Sequence, residues 1–252
     1  MSATIRLTAA TAVTAAVLSA LATAPAVAAA PGLRMTPMNG QVGSHRLVGG
    51  IKNSTSGNWA GYAATGTTFT SVSASWVQPS VTCTSATTYS SFWVGIDGDG
   101  TSSVEQTGTE ADCSGGKAVY SSWYEMYPAY PVNYSNAVSP GDHFTATVSR
   151  SGSTYTLTLS DTTKGWTKTT TKTQSGLSNG SAEVIAEAPS SNTGVLPLAH
   201  FSTASFTGAT ANGQAIGNYS PDQITMASGS TTKATTSALS GGENFSVAWN
   251  HA

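Results

Sequence analysis

Hydrophobic and polar residues alternate along most of the chain, and Gly, Asn, Asp or Pro interrupts the runs. In the run 153–160, Tyr155, Leu157 and Leu159 fall on one face of an extended chain and threonines fall on the other. Runs of this kind, rich in Thr, Val, Tyr and Trp, predict β-strands separated by turns. The predicted strands lie near 57–64, 69–77, 89–97, 102–108, 117–127, 143–149, 153–160, 164–173, 181–188, 200–207, 223–226, 233–239 and 244–249.

The succession of these runs predicts the fold class. Many strands of similar length without intervening helices indicate an all-β protein, either an antiparallel sandwich or a barrel. Amphipathic helices rich in Ala, Leu, Glu and Lys are missing after the N-terminal region, which excludes an all-α fold. No break in composition divides residues 57–252, so we predict a single domain over that range.

The composition indicates a hydroxylated surface rather than an ionic one. Ser and Thr number 75 of 252 residues, whereas charged residues make up only 9%. The 6 Trp, 9 Tyr and 6 Phe supply a sizeable core and argue against disorder, because disordered chains are poor in aromatic residues. With a net charge of −2 the chain has no basic stripe for phosphates, so nucleic acid is excluded as a partner.

The first 28 residues are typical of a secretory signal peptide. Arg6 supplies the positive start, residues 7–21 are apolar apart from small hydroxyls, and Ala26-Val27-Ala28 is a cleavage signature. The alternative is a membrane anchor, but Thr and Ser dilute the apolar run and no charged stop-transfer flank follows it. We therefore predict a secreted, extracellular protein without a membrane span, in which residues 29–56 form a linker or a short propeptide.

Cys83 and Cys113 are the two cysteines of the chain. Because the extracellular environment of a secreted protein is oxidising, we expect them to form one disulfide. The alternative, a catalytic Cys, would need a nearby His, and the downstream candidates are His143, His200 and His251. Two widely spaced cysteines do not make a zinc signature, and H-E-x-x-H is missing. We predict no metal and no cofactor.

Acidic residues are concentrated in one part of the chain, where Lys117 is the basic residue present. Six of the twelve Asp and Glu residues lie there: Asp97, Asp99, Glu105, Glu110, Asp112 and Glu125. Crowded carboxylates raise the pKa of one another, which is one way to form an acid catalyst. The alternatives are a solvated acidic rim or, at residues 97–100, a calcium loop, although the spacing of an EF-hand is missing.

Three residues of one predicted strand could form part of a cleft. Trp93, Gly95 and Asp97 share one face of an extended chain, with the glycine leaving space between an indole and a carboxylate. Core packing explains the tryptophan equally well. Gly176-Leu177-Ser178-Asn179-Gly180 matches the G-x-S-x-G pattern of a serine nucleophile, but apparent strands flank it on both sides, so we interpret it as a hairpin turn.

Glu183 and Glu187 fall on one face of the strand near 181–188. Residues four apart on a strand are separated by about 13 Å, wider than the roughly 5–9.5 Å used in glycoside hydrolysis. The two glutamates are therefore not an acid/base pair with each other. Either of them can still pair with a residue from another strand.

Four motifs, taken together and in this order, closely resemble those of the eqolisins, the glutamic peptidases. They are Phe92-Trp-Val-Gly-Ile-Asp-Gly-Asp99, Val104-Glu-Gln-Thr-Gly108, Trp123-Tyr-Glu-Met-Tyr-Pro128 and Ala182-Glu-Val-Ile-Ala-Glu-Ala-Pro189. Asn58-Trp-Ala-Gly-Tyr62 and Ser75-Trp-Val-Gln-Pro79 resemble the opening strands of the family. The resemblance extends from about residue 58 to about residue 206.

The resemblance implies a fold and a site. The fold is a β-sandwich of two large antiparallel sheets, of the concanavalin A-like or jelly-roll type, with a polypeptide substrate across the concave sheet. The implied catalytic pair is Gln106, from the Q-T-G motif, and Glu187, the second Glu of A-E-x-I-x-E. The implied substrate-binding residues are Trp93 and Asp97, which line and orient that pair, Glu125 in the cleft wall, and Trp123 and Tyr127.

The chemistry of peptide hydrolysis suits an amide paired with a carboxylate. Glu187 can accept a proton from water and pass it to the departing nitrogen, while the Gln106 amide donates to the oxyanion. A carbohydrate-binding or carbohydrate-cleaving sandwich is the main alternative, and it requires a second carboxylate, such as Glu125, opposite Glu187. A non-catalytic surface domain is a third possibility. We expect an acid-active monomer that cleaves polypeptides.

Overall fold

The computed structural model describes Met1, residues 32–38 and residues 52–252. Its described part contains twenty strands and one short 3₁₀ helix, Ile216–Tyr219. The strands are β1 (Lys52–Ser56), β2 (Trp59–Thr65), β3 (Ser71–Val77), β4 (Val81–Thr82), β5 (Ser91–Ile96), β6 (Val104–Ser114), β7 (Lys117–Tyr127), β8 (Val132–Asn133), β9 (His143–Ser151), β10 (Thr154–Asp161), β11 (Trp166–Thr173), β12 (Ser181–Glu187), β13 (Ser190–Ser191), β14 (Gly194–Val195), β15 (His200–Phe201), β16 (Ala204–Ala211), β17 (Gln214–Ala215), β18 (Asp222–Ser228), β19 (Thr231–Thr236) and β20 (Phe245–Trp249).

Most strands predicted from alternation are present, and their ends differ from the prediction by a few residues. The single strand predicted near 200–207 is wrong, because this stretch contains two strands: β15 pairs with β4, and β16 pairs with β3 and β20. The largest extension is in β6, which continues past the predicted end at 108 to Ser114 and pairs with β7 along its whole length. The chain from Lys52 to Ser56, which the sequence placed in the linker, forms β1 and pairs in parallel with β18. The signal peptide assigned to residues 1–28 lies outside the described residues, apart from Met1.

The large sheet folds back on itself to form two layers. Its hydrogen-bonded strand order is β11-β10-β9-β3-β16-β20-β19-β18-β2-β12-β5-β6-β7-β8. Strands far apart in that order pack face to face, because β10 contacts β6, β9 contacts β5 and β6, and β3 contacts β12. These contacts confirm the all-β antiparallel sandwich, in which β16, β20, β19 and β18 continue the hydrogen bonding from one layer to the other.

The main core fills the space between the two layers. Alternate residues of β10, among them Tyr155, Leu157 and Leu159, are buried while the threonines between them are partly exposed, as the alternation predicted. Facing them, Phe92 and Val94 of β5 belong to the same apolar cluster. Every residue of β5 and β12 is buried, so the outer face of these two strands is covered as well.

The hairpin predicted at residues 176–180 is wrong. These residues connect β11 to β12, and β11 lies at the far edge of one layer while β12 lies inside the other, between β2 and β5. The segment is therefore a crossover between the layers. The turn residues in this part of the sequence correctly marked a break between two strands, but they do not determine which strands pair.

The predicted disulfide is confirmed, since Cys83, just after β4, is bonded to Cys113 on β6. Within the described residues, no helix is long and apolar enough to cross a membrane.

Candidate active site

The candidate site lies on the outer face of β5, β6 and β12, opposite the main core. Side chains alternate between the two faces of a strand, so Trp93 on β5, Gln106 on β6, and Ile185 and Glu187 on β12 share this outer face. The strand register places Gln106 opposite Gly95 and Ile185 opposite Trp93. Gln106 and Glu187 thus belong to different strands, with β5 between them.

Two glycines lie close to Trp93 on this face. A Cβ added at Gly95 would lie 2.9 Å from Trp93 Cζ3 and 3.2 Å from Gln106 Cβ. A Cβ added at Gly108 would lie 2.6 Å from Trp93 Cβ and 2.2 Å from the carbonyl oxygen of Phe92. A larger residue at 95 would displace the indole, and one at 108 would collide with the backbone of β5. Gly95 therefore leaves the space that the sequence predicted beside Trp93.

Residues 32–38 cover this face, although the sequence predicted them to be part of a linker or short propeptide outside the domain. Arg34 N–H donates to the carbonyl of Ser190 at 2.9 Å, and Ser190 N–H donates to the carbonyl of Arg34 at 2.8 Å. Leu33 and Met35 are buried in a second apolar cluster, here called the cleft cluster. Its buried members are Leu33, Met35, Trp59, Ala63, Trp93, Val104, Trp123, Ile185 and Ile224.

Gln106 and Glu187 contact the same peptide bond of that segment from its two sides. Gln106 Nε2 donates to the carbonyl oxygen of Met35 at 2.9 Å. The N–H of Thr36 donates to Glu187 Oε1 at 2.8 Å. The structure therefore brings the two predicted catalytic side chains together around the Met35–Thr36 bond, although two strand spacings separate their backbones.

Three side chains that donate hydrogen bonds orient Glu187 and the bound backbone. Trp93 Nε1 donates to Glu187 Oε2 at 2.9 Å, and Asn58 Nδ2 donates to Glu187 Oε1 at 3.3 Å. Trp59 Nε1 donates to the carbonyl of Thr36 at 3.0 Å. The sequence assigned no role to Asn58 or Trp59. Their position in the Asn58-Trp-Ala-Gly-Tyr62 motif was the signal that could have identified them.

Glu125 lies next to Gln106 and orients its amide. Residues 106 and 125 are directly opposite each other on β6 and β7. Glu125 Oε2 accepts from Gln106 Nε2 at 2.9 Å and from the Met35 N–H at 3.2 Å. Because the Met35 carbonyl can only accept, the Gln106 NH₂ group must face it, which leaves Gln106 Oε1 without a hydrogen-bond partner among the described residues.

Burial raises the pKa of both carboxyl groups in the site. The pKa of Glu187 is well above its usual range because the group is removed from water, and the hydrogen bonds from Thr36, Trp93 and Asn58 oppose that rise. Burial also raises the pKa of Glu125, and the negative charge of Glu187 raises it further. The two groups therefore titrate as a pair, in which one ionised carboxylate disfavours the second.

Asp97, predicted to bind substrate, lies at the end of β5 and holds a loop. Its backbone has a positive φ of 66°, and its carboxylate accepts the N–H groups of Asn179 and Gly180 at 2.8 and 2.9 Å. The Ser103 hydroxyl is a third donor at 3.5 Å. These bonds fix the crossover before β12, so Asp97 contributes to the position of the strand that carries Glu187. Its role in substrate binding stays a prediction.

The other acids of the acidic region are divided among separate places. Burial raises the pKa of Glu105 to about 8, with the charge of Asp97 as a smaller cause. Burial raises the pKa of Glu110 to about 7, and Ser121 donates to its carboxylate. Asp112 has a raised pKa through burial first and the charge of Glu110 second. Burial is the first cause of each of these shifts. The crowding expected from the sequence exists in part, because the charges of Asp99, Asp97 and Glu105 together raise the pKa of Glu183, again after burial.

Trp123 and Tyr127 lie on the same strand as Glu125 and on the same face. Trp123 is fully buried in the cleft cluster, and Tyr127 packs against it. Tyr127 also lines an open cavity of about 710 Å³. Residues 36–38 of the bound segment and Ser190 and Ser191 line the same cavity. Both residues are therefore placed beside the bound segment. No group of three or more metal-ligating side chains occurs in the part of the chain that the structure describes.

Comparison with known proteins decides the family. The sequence profile of the Peptidase A4 family matches residues 57–249. The chain belongs to this family, the eqolisins. The resemblance found in the sequence motifs is thereby confirmed, and the match begins one residue before Asn58, the first motif residue.

Individual eqolisins show the same relationship. The chain is 33% identical over 131 residues to aspergillopepsin-2 of Aspergillus niger. The aligned residues make up 49% of this chain and 46% of the relative, so the match spans about half the relative's length. Its fold is similar to that of scytalido-glutamic peptidase in complex with a transition-state analogue inhibitor, with a TM-score of 0.66 and 26% identity, covering 77% of this chain and 98% of that one. Aspergilloglutamic peptidase from Aspergillus niger matches with a TM-score of 0.59 and 29% identity, covering 65% of this chain and 99% of that one.

Family membership and these structural matches support a hydrolase that acts on peptide bonds. They do not favour the carbohydrate-active alternative.

Proposed function

We propose that this eqolisin is a secreted, acid-active endopeptidase that cleaves polypeptides with Gln106 and Glu187 as its catalytic pair. The observation that carries the proposal is the pair of contacts on one peptide bond, with Gln106 Nε2 at its carbonyl oxygen and Glu187 at its N–H. Secretion rests on the N-terminal sequence pattern. We expect the enzyme to act as a monomer without a metal or other cofactor.

The proposed reaction follows from these positions. Glu187 as carboxylate accepts a proton from water while the water oxygen attacks the carbonyl carbon. The developing oxyanion stays within reach of Gln106 Nε2, whose hydrogen bond strengthens as negative charge grows. Glu187 then donates its proton to the amide nitrogen, and the C–N bond breaks. The free Gln106 Oε1 can accept a hydrogen bond from the attacking water.

Glu125 is a positioning residue in this scheme. Its carboxyl oxygen holds the Gln106 NH₂ group at the substrate carbonyl and also binds the N–H of the residue that supplies that carbonyl. Burial raises the pKa of both carboxyls, and the charge of Glu187 raises that of Glu125 further, so Glu125 is neutral in acid. The same burial favours the protonated form of Glu187 as the pH falls, so the proposed activity in acid rests on membership of the eqolisin family.

The test is digestion of an unfolded protein between pH 3 and 7 by the full-length chain and by variants. Glu187→Gln should abolish turnover, and Gln106→Ala should lower kcat by about 10²–10³-fold, the cost of losing one oxyanion donor. Glu105→Gln is the matched control, because it neutralises a buried carboxyl on the opposite face of β6, and it should retain activity. Full activity in Glu187→Gln, or cleavage of polysaccharide instead of protein, would contradict the proposal.

A further inference from the structure

The segment 32–38 is bound as an extended peptide in the cleft of its own chain. Its side chains alternate, with Leu33 and Met35 buried in the cleft cluster and Arg34 between them, its guanidinium 3.8 Å from the centroid of the Tyr130 ring. The two backbone hydrogen bonds to Ser190 align the segment as a short strand would be aligned. This is the geometry of a substrate held by its backbone and by alternate pockets.

The register of the segment places one bond at the catalytic pair. The Met35 carbonyl is at Gln106, and the Thr36 N–H is at Glu187. The neighbouring backbone groups are also held, because the Met35 N–H donates to Glu125 and the Thr36 carbonyl accepts from the Trp59 indole. Each polar backbone group of Met35 and Thr36 therefore has a partner from the folded domain.

We propose that the Met35–Thr36 bond is a self-cleavage site: the enzyme hydrolyses this bond within its own chain, and until then residues 32–38 exclude other substrates from the cleft. The proposal rests on the proposed function of Gln106 and Glu187. It gives the sequence-predicted propeptide a defined boundary, with Thr36 as the new N-terminus.

The step consumes one water molecule. The water oxygen bonds to the Met35 carbonyl carbon while its proton passes to Glu187, and the C–N bond to Thr36 then breaks as Glu187 returns the proton to the nitrogen. The products are a carboxyl group on Met35 and an amino group on Thr36, with Glu187 restored. The N-terminal product keeps Leu33 and Met35 but loses its covalent connection to the domain, so its effective concentration at the cleft falls as it diffuses away.

The same contacts imply a preference for substrates. Met35 is fully buried in the cleft cluster, so the subsite before the cleaved bond accepts a long, unbranched apolar side chain. The subsite two residues further toward the N-terminus holds Leu33, which is also apolar. We therefore infer that cleavage of unfolded proteins favours bonds that follow large apolar residues.

The experiment follows the full-length chain after a shift from neutral to acidic pH. N-terminal sequencing and intact mass should show Thr36 appearing at the N-terminus, at a rate constant that is unchanged over a tenfold range of protein concentration. Hydrolysis of an added unfolded protein should begin after a lag that matches this cleavage. A rate that rises in proportion to concentration would overturn cleavage within one chain.

Four variants separate the possible causes. Glu187→Gln should keep Met35–Thr36 intact. Thr36→Pro removes the N–H that contacts Glu187 and should also prevent cleavage at this bond, whereas Thr36→Val, the matched control, keeps that N–H and should be cleaved. The double variant L33D/M35D places two carboxylates where the cleft is apolar, so the segment should leave the cleft and the lag should disappear.

The outcomes distinguish this proposal from the proposed function. If the wild-type chain stays intact while L33D/M35D digests added protein, self-cleavage is overturned and the peptidase function stands. If the intact wild-type chain digests added protein without a lag, the exclusion of other substrates is overturned. If neither wild type nor L33D/M35D digests protein at any pH, the proposed function fails, and self-cleavage fails with it.

Discussion

At the residue scale, the site depends on one side chain that does not ionise. Gln106 lies directly opposite Glu125 and shares the bound peptide with Glu187, so a third carboxylate at 106 would add another charge to a buried pair. An amide provides a donor to the oxyanion at any pH and avoids that repulsion. The two neighbouring acids therefore make Gln a suitable residue at this position.

Trp93 provides a test of how Glu187 is held. Trp93→Phe removes the indole N–H that donates to Glu187 Oε2 and keeps most of the packing. A hydrogen bond to a charged group contributes about 1.5–3 kcal/mol, so we expect kcat/KM to fall by about 10–100-fold. Because this hydrogen bond lowers the pKa of Glu187, its loss should also move the acid limb of the kcat/KM–pH profile to higher pH.

Trp76→Phe is the matched control for that substitution. Its indole N–H also donates a buried hydrogen bond, to Thr109 Oγ1 at 3.0 Å, but it lies in the main core. This variant should lose stability while its pH profile stays in place. A similar displacement of the profile in both variants would show that Trp93 acts only through stability.

At the element scale, the strand order determines which side chains can meet. β5 lies between β6 and β12, so Gln106 and Glu187 stand on either side of a strand whose outward residues are Trp93 and Gly95. The missing side chain at Gly95 and the indole that lies over it form the floor of the cleft. A peptide can therefore lie across β5 and contact both members of the proposed catalytic pair at once.

The disulfide stabilises the same layer from the other end of β6. Cys83 and Cys113 are 30 residues apart, and closing a loop of that length is worth roughly 3–4 kcal/mol in the unfolded-chain model. The double variant C83S/C113S should therefore lose about that free energy of unfolding, measured by urea denaturation. Cys113 is seven residues from Gln106 along β6, about 23 Å, so kcat at 25 °C should change little.

A thiol assay provides the control, because the wild-type protein should have no reactive thiols before or after unfolding without reductant. Equal urea midpoints and slopes for wild type and double variant would contradict the stabilising role of the disulfide. A large loss of kcat in a variant that remains folded would contradict its separation from the site.

At the scale of the whole molecule, the protein carries several buried acids and few ion pairs. Within the described residues one ion pair forms, between Lys164 and Asp142 at 2.5 Å. Burial raises the pKa of Glu105 to about 8 and that of Glu110 to about 7. Few carboxylates in ion pairs are therefore protonated when the pH falls, so acid removes little stability. At neutral pH, by contrast, carboxyl groups that are removed from water must ionise, which costs stability.

The stability of the fold should accordingly fall as pH rises. A carboxyl whose pKa is raised in the folded state stabilises the fold fully below its unfolded pKa, near 4.5, and loses that contribution as pH rises through its folded value. We expect Tm to be highest below about pH 5 and to fall by roughly 5–10 °C by pH 8, the scale for a loss of a few kcal/mol in a domain of this size.

Calorimetry of the Glu105→Gln variant tests whether ionisation of buried carboxyls causes the fall of Tm with pH. The variant cannot ionise at position 105, so its Tm should fall less between pH 5 and 8 than that of wild type. Both proteins in this comparison also carry Glu187→Gln, which stops the proposed self-cleavage and keeps the chain intact. A Tm that rises with pH, or that collapses between pH 5 and 3, would contradict this account.

Most of the strands, the disulfide partners and the family could be predicted from the amino-acid sequence alone. Alternation along residues such as those of β10 reports burial directly, because a strand exposes one face and buries the other. The motifs around Gln106 and Glu187 marked the candidate pair for the same local reason, since each motif lies within one strand. The secretory pattern predicted that the two cysteines would be oxidised.

The arrangement of those strands could be known only from the folded structure. The residues at 176–180 have the composition of a tight turn, yet they cross between layers, because strand pairing depends on packing across the sandwich rather than on the connecting residues. The same limit applies to residues 32–38, which the sequence predicted as part of a linker or short propeptide. Their place over Gln106 and Glu187 comes from contacts with residues up to 156 positions away, such as Arg34 with Ser190, and no local pattern encodes contacts of that separation.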